Sequence, residues 1–193
     1  MENFNMVKRI VKTYDYLNQR DIFSEECAEL IFAMEDFNIR NIADADYDAI
    51  NGRYVDTDTL KERGALVDEL ADVYIMCWEM CMYLGEDTID AFLVSHNMIA
   101  NNAATDIQRL AKIIKHISKC KRNDSVTNVK EAFEEFENSL YDLLCSFSFL
   151  GEVSKAILDK KVTEKLTRQM IRMDADVTPC AIVEAAWEKG ESQ

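Results

Sequence analysis

TLKERGALVDELADVYIMCWEMCMYLG, residues Thr59–Gly85, carries helix punctuation at both ends. Thr59 and Glu62 have capping-box spacing, in which a hydroxyl and a carboxylate three residues apart satisfy each other's free backbone amides at a helix start. Gly85 suits a helix end, because glycine adopts the left-handed conformation that closes a last turn. Leu66, Leu70 and Val73 recur between them at helical spacing. The stretch predicts one long helix.

Outward from it the same signals repeat. Upstream, Asn5 to Leu17 places Val7, Ile10, Val11 and Tyr14 on one stripe, and Ser24 caps a helix predicted over Glu25 to Phe37, with Leu30, Ala33 and Met34 on one side. A polar stretch, Asn38 to Asp58, carries five aspartates and Gly52. Downstream, a helical stretch spans Thr88 to Ile117 with a bend expected near Asn101-Asn102. A loop at Asn123-Asp124-Ser125 follows, then helices from Thr127 to Gly151 and from Val153 to Met173. Thr178-Pro179 offers an N-cap and an N1 proline for a short last helix through Trp187.

Of 193 residues, 48% are apolar and 30% charged, as in a globular chain, while five glycines and one proline are too few for the turns of a many-stranded protein. The predicted fold is an all-α antiparallel helical bundle. Leu84-Gly85-Glu86 recurs as Leu150-Gly151-Glu152 at an offset of 66, which also sets Glu69 on Glu135 and Asp72 on Asn138. Two divergent tandem copies of a helical unit are expected. The division is a catalytic unit over 1–102, a degenerate second unit over 103–175, and a C-terminal short helix and tail over 176–193.

Charge and cysteine usage narrow the partners. With 36 acidic against 22 basic residues the chain is 14 negative, which disfavours nucleic acid polymers and anionic lipid. The basic group Lys112, Lys115, Lys119, Lys121 and Arg122 reads as a solvated helix face. No apolar run reaches the roughly 18 residues of a membrane span, and Met1–Lys8 lacks signal-peptide order. The six cysteines form no CxxC pair. Cys77 and Cys81 lie one turn apart among apolar neighbours, so buried thiols in a reducing cytoplasm are expected.

Two acidic groups stand out: Glu25, Glu26 and Glu29, then Glu69 and Asp72. Residues three apart share a helix face, so Glu26 points with Glu29, and Glu69 with Asp72. Each pair borders apolar positions that turn inward. Carboxylates at a core margin repel one another and resist desolvation unless a cation binds them. If the two helices pack side by side, four carboxylates converge, and an all-oxygen site suits Mg²⁺ or Mn²⁺. Either motif alone is also what a solvated acidic helix carries. A di-iron site is excluded, because it would want Glu-x-x-His, and residues 93 and 113, three before His96 and His116, are leucine and isoleucine. Trp78, Met76, Met80 and Met82 lie at core spacing and read as packing, and Lys8, Arg9 and Lys12 as a solvated face.

Ser24-Glu-Glu-Cys-Ala-Glu-Leu-Ile31, followed by Asp68-Glu-Leu-Ala-Asp-Val-Tyr-Ile-Met76, resembles the MazG-like all-α nucleoside triphosphate pyrophosphohydrolases, a superfamily that includes dimeric dUTPases and dCTPases. Its signature is EExxE, an interval, then ExxD, and the likeness covers roughly residues 5 to 100. The resemblance implies a MazG-like bundle that cleaves a nucleoside triphosphate to monophosphate and pyrophosphate with Mg²⁺, or Mn²⁺ in its place. Glu26, Glu29, Glu69 and Asp72 would be the metal ligands. Glu25 would be a further ligand or the base acting on the attacking water, and Glu26 shares in the catalytic set.

The interval between Glu29 and Glu69 is longer than in compact relatives, and the Asp44, Asp46, Asp48 and Tyr54 region reads as a surface insertion or as a lid. Ser95–Asn102 lacks the lysine and arginine that follow in relatives. Glu164-Lys165-Leu166-Thr167-Arg168-Gln169 is similar to the family's final-helix pattern, so Lys165 and Arg168 are expected to contact substrate. The alternative for Lys161, Lys165, Arg168 and Arg172 is a solvated basic stripe. A small nucleotide substrate, and either a homodimer or an internal pseudo-dimer, follow from the resemblance. The competing expectation is a non-catalytic helical module that binds nucleotide or a partner protein.

Overall fold

The computed structural model describes the backbone of residues 2–51, 58–96, 104–123, 129–146 and 155–190. Side chains are described for residues 2–36, 64–96, 104–122, 134–145 and 156–175. The described residues are all-helical: α1 (Glu2–Thr13), α2 (Tyr16–Asn51), α3 (Asp58–Tyr83), α4 (Ile89–His96), α5 (Asp106–Asn123), α6 (Val129–Ser146) and α7 (Lys155–Gly190). None of these helices is long and apolar enough to cross a membrane.

The core is written as seams at helical spacing. On α3, Leu66, Leu70, Val73, Cys77 and Met80 are all buried, and on α5 so are Leu110, Ile113, Ile117 and Cys120. These three- and four-residue steps hold one face against a partner helix. Phe23, Cys27 and Leu30 complete the seam from α2, and Phe136, Leu140 and Leu143 from α6. Each fully buried side chain of this kind contributes about 1.5–3 kcal/mol. Helix α2 packs on α3, α5 on α6 and α2 on α5, while α1 and α7 cover α3.

Direction follows from paired residues. Glu26 of α2 faces Asp72 and Glu69 of α3. The ion pairs Lys161–Asp68 and Lys165–Asp72 ascend together, so α7 runs parallel to α3. Asn3 donates to Thr163 and Arg9 pairs with Asp174, which sets α1 parallel to α7. The expected antiparallel bundle is therefore mixed: α2 runs against α3 and α5 against α6, but α1, α3 and α7 share one direction. The long connections between these three leave their relative sense to packing.

Several helix ends differ from the sequence reading. The first break falls at Tyr14-Asp15, where the Asp15 carboxylate accepts from the Asn18 amide at 2.9 Å, so Asp15 is the N-cap and Ser24 lies inside α2. Helix α2 continues to Asn51 through much of the polar stretch. That segment has no glycine or proline before Gly52 and carries three alanines, so its polar composition does not break the helix. The helix expected over Thr88 to Ile117 is two. Thr88 Oγ1 accepts from the Ala91 amide at 3.0 Å to cap α4. A reciprocal box opens α5, with Thr105 N–H donating to Gln108 Oε1 at 2.9 Å and Gln108 N–H to Thr105 Oγ1 at 3.3 Å. Helix α7 runs through Thr178 and Pro179 to Gly190, so the separate last helix is absent from the described backbone.

The end of α3 agrees with expectation. Gly85 has φ +94°, the Glu86 amide bonds the Cys81 carbonyl at 2.9 Å, and the Gly85 amide bonds Met82 at 3.1 Å. This is a Schellman closure. The Asn101-Asn102 bend, the Asp124-Ser125 part of the loop, Tyr54 and Leu150-Gly151-Glu152 lie outside the described residues, as do the side chains of Asp44, Asp46, Asp48, Thr59 and Glu62.

Candidate metal centre

Helices α2 and α3 each place acidic residues one step off their buried seams. Glu26 precedes buried Cys27, Glu69 precedes buried Leu70, and Asp72 precedes buried Val73, so the three carboxylates lie half-buried at the margin of the core. One oxygen each from Glu26, Glu29 and Glu69 lies within 4.8 Å of the others. Asp72 adjoins them, and its Oδ2 accepts a hydrogen bond from the Lys165 ammonium on α7. Four of the acidic residues singled out by spacing are thus gathered by two packed helices, with Lys165 beside them.

Two predicted residues stand apart. Glu25 is exposed, because one residue along a helix turns a side chain by about 100° away from its neighbour's face. Arg168 is exposed on α7 and does not line the adjoining cavity, while Leu166 and Gln169 do.

The electrostatics of the group are those of crowded anions. Burial first, then Asp72, Glu29 and Glu69, raise the Glu26 carboxyl to about 7, with Lys165 opposing. Glu69 is raised by burial and then by Asp72. Asp72 is raised by burial in spite of its bond to Lys165. A single ammonium therefore leaves the cluster short of positive charge. An all-oxygen donor set is the kind that a hard divalent cation takes, and Glu26, Glu29 and Glu69 would be the groups to hold one, with Asp72 at their edge.

Beside the cluster is a cavity of about 320 Å³ between α1, α2, α3 and α7. Glu26, Asp72 and Lys165 line one end. The other end carries Asn18, Gln19 and Glu79, with Ile22, Ile75 and Met76 between. The α1–α2 turn at Tyr14 closes it, where Tyr83 Oη donates to the Tyr14 carbonyl at 2.7 Å and Tyr16 meets the Tyr83 ring edge-on at 5.5 Å. Glu79 was not among the residues chosen by spacing. Its signal was a single acidic residue inside the apolar run Ile75–Met82.

The remaining readings resolve simply. Met76 and Met80 are buried in the core, and Trp78 packs partly against it while its indole N–H donates to the Asp87 carbonyl at 3.2 Å. Cys27, Cys77, Cys81 and Cys120 are buried thiols, and Cys145 is a partly exposed one. His96 lies against the Phe92 ring at 3.9 Å, and His116 Nδ1 is 2.5 Å from Ser139 Oγ. Lys8 and Arg9 are exposed, and they pair with Asp87 and Asp174. At the positions that echo the acidic motif, Glu135 takes an ion pair from Lys119 at 2.7 Å and Asn138 is exposed. No known protein family, curated protein or solved structure matches this chain.

Proposed function

We propose that this protein is a Mg²⁺-dependent nucleoside triphosphate pyrophosphohydrolase, releasing a monophosphate and pyrophosphate. The observation that carries the reading is the convergence of Glu26, Glu29 and Glu69, with Asp72 and Lys165, at the mouth of a nucleotide-sized cavity. Bound Mg²⁺ would polarise the phosphoryl oxygens and screen the triphosphate from the carboxylates. The chain's own residues do the rest. The cavity walls hold the nucleoside, and Lys165 offers its ammonium beside the phosphates. Glu26 belongs both to the carboxylate group and to the cavity wall, so it is placed to take the proton of the attacking water. As that water's oxygen bonds the α-phosphorus, the bond to the α–β bridging oxygen breaks and pyrophosphate leaves. Exposed Glu25 is the weaker candidate for this role.

The substrate is a small nucleotide rather than a polymer, in keeping with the net charge of −14. The α5–α6 pair reads as a divergent second copy of α2–α3, in which the Lys119 ammonium offsets Glu135 where the first copy gathers further carboxylates. This makes the molecule an internal pseudo-dimer, with α7 of the second unit lending Lys165 to the first. Buried thiols suit a reducing compartment.

Pyrophosphate release from a panel of ribo- and deoxynucleoside triphosphates, with Mg²⁺, Mn²⁺ or EDTA, tests the reading. Monophosphate and pyrophosphate should form only with metal. Glu29→Gln and Asp72→Asn should lower turnover by about 100-fold or more with helicity by circular dichroism unchanged. Silence across the panel from folded protein, or near-native turnover in either variant, overturns it.

One observation favours a second reading, a non-catalytic helical module. Lys165 already supplies a cation to Asp72 without any metal. Thermal melting separates the two: a metal centre gains several degrees in Mg²⁺ beyond equivalent monovalent salt, and a structural acidic face does not.

A further inference from the structure

Glu79 is 2% exposed, yet its Oε2 has no hydrogen-bond partner among the described residues. A buried polar atom left unpaired is destabilising, and at a cavity wall it is a bonding position open to a ligand. The geometry shows how such a ligand would lie. Glu79 is seven residues beyond Asp72 on α3, about 10 Å along the helix axis. Gln19 is seven residues before Glu26 on α2, which runs the other way. The two helices therefore build both ends of the cavity in step, with Glu26, Asp72 and Lys165 at one end and Gln19 and Glu79 at the other. Gln19 is itself 5% exposed. That separation is comparable to the span from the α-phosphate of a nucleotide to the far edge of its base, and Ile22, Ile75 and Met76 offer apolar contact for a ring between.

We infer that the Gln19–Glu79 end of the cavity binds the nucleobase, with Glu79 as the residue that anchors a ring edge setting an N–H donor beside an acceptor. The inference rests on the nucleotide reading above and extends it to the substrate's base. Burial alone pushes the Glu79 carboxyl up to about 8, so it is largely protonated at neutral pH. A neutral carboxyl presents one O–H donor and one carbonyl acceptor. The Watson–Crick edges of cytosine, uracil, thymine and adenine complement that pair. The guanine edge offers the same pair at O6 and N1–H, so Glu79 anchors a base edge without choosing among the natural bases.

Calorimetric binding of deoxycytidine, thymidine, deoxyadenosine and deoxyguanosine in EDTA tests the subsite without metal or phosphate. The unaltered protein should prefer at least one of the four over base-free 2-deoxyribose by about tenfold or more. Glu79→Met should abolish that preference. Glu79→Gln, which keeps a donor and an acceptor in place, should retain it within about threefold. Glu79→Met removes a buried unpaired polar group, so its melting temperature should equal or exceed the parent's, which separates lost binding from lost folding. Undetectable nucleoside binding, or an unchanged preference over 2-deoxyribose in Glu79→Met, overturns the inference. Triphosphate hydrolysis whose KM ignores Glu79→Met would sink the subsite and spare the hydrolase. Glu79-dependent nucleoside binding without hydrolysis would do the reverse.

Discussion

Glu26 is the residue where spacing, burial and charge meet. Its folded-state pKa of about 7 lies above the ordinary 4.5, so the native state binds its proton more tightly than the unfolded chain does. The stabilising effect of that proton is complete below about pH 4.5 and is lost as pH rises through about 7. Glu69 and Asp72 shift in the same direction. In divalent-free buffer the melting temperature should therefore fall between pH 5 and pH 8. Glu26→Gln should flatten the fall and melt above the parent at pH 8; a parallel, unshifted profile would contradict the crowding of these carboxylates. The acidic positions were legible because i, i+3 spacing beside apolar residues locates a face. Glu25 and Arg168 were chosen by motif, and helical phase turns both outward.

Element ends follow local chemistry, some of it easily overlooked. Thr105 and Gln108 bond reciprocally at the start of α5. The Thr105-x-x-Gln108 pattern was present in the sequence, although the apolar periodicity on either side suggested one continuous helix. Thr105→Ala should cost about 1 kcal/mol. Gly85→Ala should cost about 1 kcal/mol or somewhat more through backbone strain alone, since φ is +94° and an added Cβ meets nothing within 4 Å. Both are measurable as shifts of the urea midpoint at constant m-value. Thr105→Ala and Gly85→Ala variants that denature like the parent would show these caps to be dispensable. At Ser24 the pattern misled, because a good capping residue can also sit inside a helix when an aspartate nine residues earlier has already started it.

Across the whole molecule, the α2–α3 and α5–α6 pairs share one core. Phe23 of α2 meets Phe136 of α6 edge-on, with ring centroids 6.5 Å apart and both side chains fully buried. Phe136→Ala should cost about 3–5 kcal/mol. The variant should still unfold in one cooperative transition, because the cavity opens at a seam common to both pairs. Two separated transitions by circular dichroism and tryptophan fluorescence would instead indicate independent units. Helix α7 adds a second link, reaching back to α3 through Lys161–Asp68 at 2.8 Å and Lys165–Asp72.

Composition, apolar spacing and the two acidic motifs were enough to establish an all-helical chain and the face on which its carboxylates lie, because these are properties of a single helix. The direction of α1 and α7 relative to α3, the pairing of Lys165 with Asp72, and the cavity that ends at Glu79 needed the tertiary structure. Each depends on contacts between residues distant in sequence, and no local periodicity encodes which helix covers which.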